Sequence, residues 1–547
     1  MAFPPIVGRR LQEGIGEPAL SALEVVRCYH QRSKHYPGRY AAGPETLDWD
    51  SQPNPFRHFE GATTIELPLS ARNFPASPSA LFGIPGSSVP PTLESLGAFF
   101  EMSLAINAWK SHGPDRWALR CSPSSGNLHP TEGYLIALGM DQVRDGLYHY
   151  DAEYHVLEQR AILTPKAANV PCILIGLTTI HWREAWKYGE RAFRYCHLDL
   201  GHIIESLSAA ARSLGWSLCS VPLSHTTKLS AILGTDRAED FQDAETEAPQ
   251  LLLKVLTSPQ PASDASLPAF NFSEWAGRAN RLDPQPFYEW PAIEEVSFAT
   301  EFSDMPAFLM PWSSSRKIKD VPLPSLMAAE LIWKRRSAQA FDQTSLMSES
   351  CFQHLLTLTF DREHSLARLG SSSPGIYPLL WIHRVERFNA GLYLVTMDST
   401  PPDALRSALD PDFKWRKHAC ASSSLKLWHL RSLDNPRMAK AIHCHQAIAS
   451  NAMLVASCLI DFGTLEKEGA WHYRRLHWES GALGHRLYLA SEALGLRTTG
   501  IGCFFDDEYH AVLGLHGARY QTLYQLAIGQ PLVDERIRTF PAYPKRG

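Results

Sequence analysis

The segment FRYCHLDLGHIIESLSAAARSLGW (residues 193–216) recurs 280 residues later as YRRLHWESGALGHRLYLASEALGL (residues 473–496). The two segments align without a gap, and an arginine, a histidine, a glycine, leucines and alanines coincide before a shared Leu-Gly. The helical spacing of the leucines and alanines predicts one long helix in each copy. Gly215 and Gly495 stand where a glycine commonly ends a helix. A repeat of this extent predicts two copies of one structural unit.

Apolar segments on both sides of each predicted helix extend the repeat. Residues 171–180 and 451–461 have the pattern of buried strands before the two helices, and residues 250–261 and 524–531 that of strands after them. The sequence therefore predicts an α+β fold built from two tandem domains.

The chain has 547 residues, which is too long for one ordinary hydrophobic core. Residues 263–325 lie between the two copies, are rich in proline and serine, and lack periodicity, which is typical of a linker. We expect an N-terminal extension at 1–90, a first domain at 91–262, the linker at 263–325 and a second domain at 326–547.

Composition excludes several classes of protein. A net charge of −5 argues against a nucleic-acid-binding surface. No apolar run is long enough for a membrane-spanning helix or a signal peptide, so we expect no membrane partner and a cytoplasmic location. Ten cysteines without a CxxC pair fit reduced thiols. His443 and His445 flank Cys444, but no second ligand cluster accompanies them, so no metal site is expected.

A loop within RCSPSSGNLHPTEGYL (residues 120–135) combines turn-forming residues with small polar side chains. Pro123 fixes its own φ, and Gly126, three residues before His-Pro, permits positive φ. Ser124, Ser125 and Asn127 offer polar groups that can approach a ligand closely. A turn with local side-chain caps is the alternative interpretation of the same loop.

Two further motifs occur in the second copy. In WKRRSAQAFD (residues 333–342), Arg335, Arg336 and Ser337 follow a probable helix and suit a phosphate group, although a solvated basic helix end is the alternative. In TTGIGCFFDD (residues 498–507), two glycines would let the backbone approach a flat ligand. The first copy lacks the RRS motif and these glycines, whereas the second copy lacks PSSGN, so the motifs are divided between the copies.

Together with KYGERAFRY (187–195) and LDLGH (198–202), these motifs resemble the nitroreductase superfamily of FMN enzymes. More specifically, the chain resembles tandem proteins related to the SagB-type azoline dehydrogenases. Nitroreductases are usually domain-swapped dimers with FMN at the subunit interface, so the resemblance implies an intramolecular pseudo-dimer. One FMN per chain is expected, because the two-fold related site has lost its motifs. The cofactor-binding residues implied are Arg335, Arg336, Ser337, Gly500 and Gly502 from the second half and Pro123, Ser124, Ser125 and Asn127 from the first.

The resemblance also implies catalytic roles for Lys187 and Tyr188, with the lysine as a base and the tyrosine as a proton donor. A solvated lysine beside an interfacial tyrosine is the alternative. Two arginines follow in the same segment, and we expect them to form structural ion pairs with nearby acids. These pairs join Arg191 and Arg194 to Asp199 and Glu190.

The family often has a further arginine after RRS, whereas this chain has Gln339 two positions after Ser337. Nitroreductases commonly use a C-terminal basic residue at the phosphate, which the chain could supply from its last twelve residues. The candidates are Arg536, Arg538 and Lys545.

The resemblance therefore implies an FMN-dependent oxidoreductase acting on a small molecule or a modified peptide, with azoline-to-azole oxidation as one candidate reaction. Peptide-modifying enzymes are the expected partners. Two alternatives remain open: a nitro or quinone reductase that uses NAD(P)H, and a non-catalytic flavin-binding scaffold subunit of a peptide-modifying complex. Convergence of RRS and PSSGN from opposite halves would favour a working site over a scaffold.

Overall fold

The computed structural model describes residues 20–163, 171–257, 271–286, 288–305, 309–310, 318, 320–360, 375–397, 400–420 and 424–544. The helices there are α1 (Ala22–Arg32), α2 (Leu93–Glu101), α3 (His181–Tyr188), α4 (Ala192–Ser213), α5 (Thr226–Leu233), α6 (Pro291–Ala299), α7 (Ala328–Lys334), α8 (Glu349–Phe360), α9 (Asp403–Ala408), α10 (Pro436–Ile442), α11 (Ala447–Asn451), α12 (Leu465–Glu468), α13 (His472–Ala493) and α14 (Asp506–Leu513). The strands are β1 (Phe59–Glu60), β2 (Thr63–Glu66), β3 (Ile106–His112), β4 (Asp115–Arg120), β5 (Thr131–Leu138), β6 (Gly146–Asp151), β7 (Val156–Leu163), β8 (Cys172–Thr179), β9 (Ser217–Ser220), β10 (Ala248–Leu256), β11 (Phe272–Ser273), β12 (Arg278–Ala279), β13 (Leu309–Met310), β14 (Ala340–Phe341), β15 (Ile376–Ile382), β16 (Gly391–Thr396), β17 (Arg416–His418), β18 (Lys426–Ser432), β19 (Leu454–Asp461), β20 (Arg497–Ile501), β21 (Tyr520–Gly529), β22 (Pro531–Leu532) and β23 (Arg538–Phe540).

Two large antiparallel sheets repeat one strand order. The first sheet runs β11-β7-β6-β5-β8-β10-β9-β13, with β2 also paired to β7. The second runs β17-β18-β16-β15-β19-β21-β20. The six strands from β7 to β9 in the first sheet therefore match the six from β18 to β20 in the second. The predicted mixture of helices and sheets is confirmed, and so are the strands predicted on both sides of each repeat helix.

The repeat helices α4 and α13 each have 22 residues and pack against each other. Gly215 and Gly495 follow these helices with φ of 68° and 75°, in the left-handed region that glycine adopts easily. The two helix backbones come into close contact at the paired repeat positions Gly201 and Gly481. A Cβ on Gly201 would lie 2.2 Å from the Trp478 carbonyl oxygen, and one on Gly481 would lie 2.0 Å from that of Leu198.

We expect Gly201→Ala to destabilise the protein strongly. The added methyl group meets backbone atoms that cannot rotate away, so the helices must separate, at a cost of about 1–3 kcal/mol or more. Gly43→Ala is the matched control, because a Cβ there meets nothing closer than 3.9 Å. Unfolding midpoints in urea measure the difference. Equal midpoints for the two variants would show that the helix crossing does not require glycine.

The segments outside the repeat pack on the two halves. In the predicted linker, α6 contacts α1, and β11 and β13 extend the first sheet. From the other end of the chain, β23 pairs with β3, and the Tyr543 hydroxyl donates to the Ala152 carbonyl (2.8 Å). The C-terminal segment thus reaches back to the first half. None of the described helices is both long enough and apolar enough to cross a membrane.

Candidate functional site

A cavity of about 410 Å³ lies between the two halves. The first half contributes the loop of residues 122–127, named here the serine loop, and the second half contributes residues 335–337 and β20 with the two residues that follow it. All nine residues predicted to bind the cofactor line this cavity: Pro123, Ser124, Ser125, Asn127, Arg335, Arg336, Ser337, Gly500 and Gly502.

The serine loop is fixed by Asp199 of α4. The carboxylate accepts hydrogen bonds from the Ser124 hydroxyl (2.5 Å), the Ser125 hydroxyl (2.9 Å) and the Ser125 backbone N–H (3.0 Å). Gly126 and Asn127 follow with φ of 59° and 61°, so a left-handed turn presents the loop to the cavity. The two serine hydroxyls therefore hold the loop in place rather than pointing freely at a ligand.

Asp199 lies beside a second buried carboxyl group, that of Glu184 on α3. Burial raises the pKa of Asp199 to about 6, although the hydrogen bonds from the serine loop lower it. Burial and the neighbouring charge of Asp199 hold the pKa of Glu184 well above its usual range. A proton therefore resides on this pair of acids at moderately acidic pH.

We expect Asp199→Asn to change how stability depends on pH. The pKa of Asp199 is about 6 in the folded protein against an ordinary value of 3.8. The folded state thus holds a proton that the unfolded chain releases, and this stabilisation is present below about pH 4 and lost as the pH rises through 6. The stability of the wild type relative to Asp199→Asn should fall by up to about 3 kcal/mol over that window.

Urea unfolding midpoints at pH 4, 5, 6 and 7 test the Asp199 prediction. The control is Asp534→Asn, because hydrogen bonds from Arg536 hold the pKa of Asp534 at about 2, below the window. A difference between wild type and Asp199→Asn that does not vary with pH would contradict the assignment of the raised pKa.

Arg335 joins the second half to the first. It follows α7, and its guanidinium donates to the carbonyl oxygens of Cys121 (Nε, 3.0 Å) and Arg120 (Nη2, 3.1 Å). Its buried Nη1 has no hydrogen-bond partner among the described residues. Arg336 lies beside it, and burial together with the Arg335 charge lowers the pKa of Arg336 to about 10. Two desolvated cations with an unused donor suit an anionic group.

Three other cations add to the positive charge that Arg335 and Arg336 bring to the cavity. Lys110 of β3, Arg120 of β4 and Arg497 of β20 also line the cavity, against the carboxylates of Asp199 and Asp534. Burial and the charges of Arg336 and Arg497 lower the pKa of Lys110, as expected for a cation among cations. The residues present therefore fit a phosphate group.

Two of the three C-terminal candidates for phosphate binding do not line the cavity. Arg536 is exposed and pairs with Asp534 (2.7 Å), and Arg538 belongs to β23, with neither residue lining the cavity. Lys545 lies outside the described residues. The extra cations at the cavity come instead from Lys110, Arg120 and Arg497.

The glycines after the repeat helix make room for aromatic rings. A Cβ on Gly500 would lie 2.0 Å from the Tyr524 hydroxyl, and one on Gly502 would lie 2.3 Å from the Tyr195 ring. The Gly500 N–H donates to the Tyr488 hydroxyl (2.8 Å) and is not free for a ligand. These three tyrosines line the cavity, so the glycines shape it by admitting the rings.

Only one residue of the predicted catalytic pair lines the cavity. Tyr188 lines the cavity, and its hydroxyl lies 2.7 Å from where a Cβ of Gly126 would stand. Lys187 is not among the cavity residues, and its Nζ lies 5.6 Å from the Trp49 ring centroid and 5.5 Å from that of Tyr188. Burial lowers the pKa of Lys187. The lysine thus stands behind the tyrosine, and its catalytic role stays a prediction.

The expected ion pairs of the KYGERAFRY segment are wrong. Arg191 and Arg194 both pair with the buried Asp506 of α14, at 3.0 Å and 2.9 Å, rather than with Asp199. Glu190 pairs with Arg32 of α1. The acids that neutralise these arginines lie far away in sequence, so local spacing could not identify them.

Metal ligands are not brought together at the cavity. Among the described residues, the one group of metal-ligand type is His58, Asp151 and Glu158, which lies outside the cavity. There the His58 ring donates to the carboxylates of Asp151 (2.9 Å) and Glu153 (3.0 Å), and both acids raise its pKa to about 10 despite its burial. The group is accounted for as a histidine held between acids.

Comparisons with known proteins agree with this architecture. Residues 115–244 match the model of the nitroreductase family. A nitroreductase-like protein of Methanocaldococcus jannaschii is 28% identical over 131 residues, which cover 22% of this chain and 66% of that protein. The trifolitoxin-processing protein TfxB of Rhizobium leguminosarum bv. trifolii is 28% identical over 173 residues, which cover 27% of this chain and 45% of that protein. The chain thus spans 66% and 45% of the lengths of these curated relatives.

The likeness extends over nearly the whole chain in three dimensions. A crystal structure of a nitroreductase-like protein from Anabaena variabilis superposes with a TM-score of 0.66, covering 93% of this chain and 99% of that one, at 20% identity. The chain therefore has the nitroreductase fold, and its residues 115–244 are similar to the nitroreductase family.

Proposed function

We propose that the protein is an FMN-dependent oxidoreductase whose two halves form an intramolecular pseudo-dimer around one flavin site. One observation carries the proposal: the serine loop of the first half and residues 335–337 of the second line the same cavity. Two copies of the repeat whose sequences diverged independently would have no reason to keep complementary parts of one binding site. The domain division at 91–262 and 326–547 belongs to this proposal.

The cationic part of the cavity would hold the FMN phosphate. Arg335 and Arg336 supply guanidinium donors there, and the orphaned Nη1 of Arg335 gains a partner when an anion binds. The serine loop, held by Asp199, would support the flavin ring with the tyrosines of the second half. FMN supplies hydride chemistry when bound, and the protein contributes binding, orientation and control of protons.

Tyr188 is the group placed to move a proton at the cavity. Burial and the nearby carboxyls of Glu184 and Asp199 hold the pKa of its phenol well above the usual value. The hydroxyl therefore stays protonated at neutral pH and can donate a hydrogen bond or a proton to a substrate atom. Lys187 would act through Tyr188 as a nearby positive charge.

A modified peptide is the substrate class that we favour, with azoline oxidation as the reaction and peptide-modifying enzymes as partners in the cytoplasm. Support comes from the similarity to a trifolitoxin-processing protein and from the placement of Tyr188. A nitro or quinone reductase that uses NAD(P)H is the second candidate, and the family match supports it equally.

Mixing experiments under anaerobic conditions distinguish the peptide oxidase from the NAD(P)H-dependent reductase. The FMN-loaded protein is mixed with an azoline-containing peptide, with NADH or with NADPH, and flavin absorbance is followed. Loss of the oxidised flavin band with the peptide, together with azole formation by mass spectrometry, is the expected result. Rapid loss with a nicotinamide and none with the peptide would favour the reductase. No loss with any of the three would leave the scaffold interpretation.

A further inference from the structure

Two cysteines from separate parts of the second half meet at the edge of the cavity. Cys503 follows Gly502 after β20 and lines the cavity, and Cys444 lies in the turn between α10 and α11. The two thiols lie close enough to influence each other's ionisation, and neither cysteine belongs to a disulfide. Neither the fold nor the proposed flavin site explains this pairing.

Backbone and side-chain hydrogen bonds hold the two cysteine segments together. The Phe505 N–H donates to the Ile442 carbonyl (2.8 Å). The Gln446 side-chain amide donates to the carbonyls of Cys503 (2.9 Å) and His443 (3.0 Å). These bonds lie on both sides of the thiol pair. A disulfide needs Cα atoms about 4.4–6.8 Å apart, and the bonds between the two segments hold the two cysteines in one neighbourhood.

The two thiols differ in acidity. The hydrogen bond from Cys444 and the positive charge of Arg191 lower the pKa of Cys503. The pKa of Cys444 is raised, because its hydrogen bond to Cys503 and its burial favour the protonated form. Both cysteines are partly exposed. Cys503 lines the cavity and Cys444 does not, so a small disulfide in the cavity reaches Cys503 first and Cys444 is placed as the resolving thiol.

A metal site does not explain the pair. Among the described residues, no third histidine, cysteine, aspartate or glutamate completes a ligand group with these thiols. The neighbouring His443 is buried, and its Nδ1 lies 2.6 Å from the Ala439 carbonyl. The remaining chemistry open to two adjacent thiols of unequal acidity is oxidation to a disulfide.

We propose that Cys503 and Cys444 form a thiol–disulfide exchange site that reacts with small dialkyl disulfides. The Cys503 thiolate attacks one sulfur of the disulfide RSSR, forming a mixed disulfide and releasing RS⁻. Cys444 gives up its proton and attacks the Cys503 sulfur, which releases the second RS⁻. The two protein thiols are oxidised to one disulfide, RSSR is reduced to two RSH, and the protein's two thiol protons balance the two RSH.

The disulfide would add a covalent link at the wall of the cavity. It would tie the turn between α10 and α11 covalently to the residue that follows Gly502, and Gly502 packs against the Tyr195 ring. The oxidised and reduced forms therefore differ in a bond at the edge of the cavity.

The test uses oxidised glutathione on the reduced full-length protein. Samples are quenched with acid, alkylated, digested and mapped by mass spectrometry. We expect a cross-linked peptide pair containing Cys444 and Cys503, two hydrogens lighter than the reduced peptides and restored by dithiothreitol. Cys28 on α1 is exposed and serves as an internal control that should react at least about tenfold more slowly.

Two variants separate the roles. Cys444→Ser should leave Cys503 as a stable glutathionyl adduct, and Cys503→Ser should leave Cys444 unreacted over the same period. The proposal is overturned if both cysteines stay alkylatable in the wild type while Cys28 is modified. It is equally overturned if Cys503 fails to form the adduct in Cys444→Ser.

Discussion

Replacing Arg335 and Arg336 together by alanine is expected to abolish FMN retention while the fold survives. Hydrogen bonds to charged groups contribute about 1.5–3 kcal/mol each. Loss of both guanidiniums should therefore weaken FMN binding by about 10² to 10⁴-fold. Fluorescence titration with FMN measures the affinity, and far-UV circular dichroism checks the fold. A double variant that stays yellow after purification would contradict the phosphate assignment.

Arg335 also donates to two carbonyls of the first half, so its loss could loosen the serine loop. Arg336→Ala alone addresses this point, because Arg336 donates to the carbonyls of Trp333 (2.6 Å) and Arg335 (2.7 Å) within its own segment. It should weaken FMN binding without changing thermal stability. Arg519→Ala is the control, since Arg519 is exposed, pairs with Asp461 (3.0 Å) and lies away from the cavity.

Tyr188→Phe is expected to spare FMN binding and to lower kcat by about 10² to 10⁴-fold, the usual contribution of a positioned acid or base. The substitution removes only the hydroxyl and keeps the ring that packs against Tyr195 at 4.7 Å between centroids. The measurement is turnover with whichever substrate reduces the bound flavin. Unchanged turnover in Tyr188→Phe would remove the tyrosine from the mechanism.

Lys187→Ala distinguishes the two members of the predicted pair. It should likewise leave FMN binding intact and lower kcat, because the ammonium stands 5.5 Å from the Tyr188 ring centroid. If the lysine acts only through the tyrosine, the double variant should be no slower than Tyr188→Phe. A further loss in the double variant would indicate that Lys187 reaches the substrate itself.

The sequence predicted those parts of the fold that repeat. The gapless match of 193–216 with 473–496 placed α4 and α13, and the apolar segments around them placed the neighbouring strands. The motifs PSSGN, RRS and TTGIGCFFDD were also sufficient to name nine residues that line the cavity. Each of these inferences rests on local patterns or on copies of one pattern.

The remaining features of the site depend on pairings that local sequence does not encode. Lys110 and Arg497 reach the cavity because β3 and β20 lie beside it. Asp506 pairs with Arg191 across 315 positions of the chain. Gly502 is required by the ring of Tyr195, another long-range contact. The LDLGH motif did indicate that Asp199 has a role, because it is an acid within an otherwise apolar helix face. Sequence spacing, however, assigned it the wrong partner.

The central claim is that complementary pieces of the two halves hold one flavin. The most direct test is the absorbance spectrum of the purified protein, with flavin released by heat, identified and quantified per chain. Oxidised flavin bands and about one FMN per chain are the predicted result. A colourless protein that takes up no added FMN, or a protein that holds two FMN per chain, would contradict it.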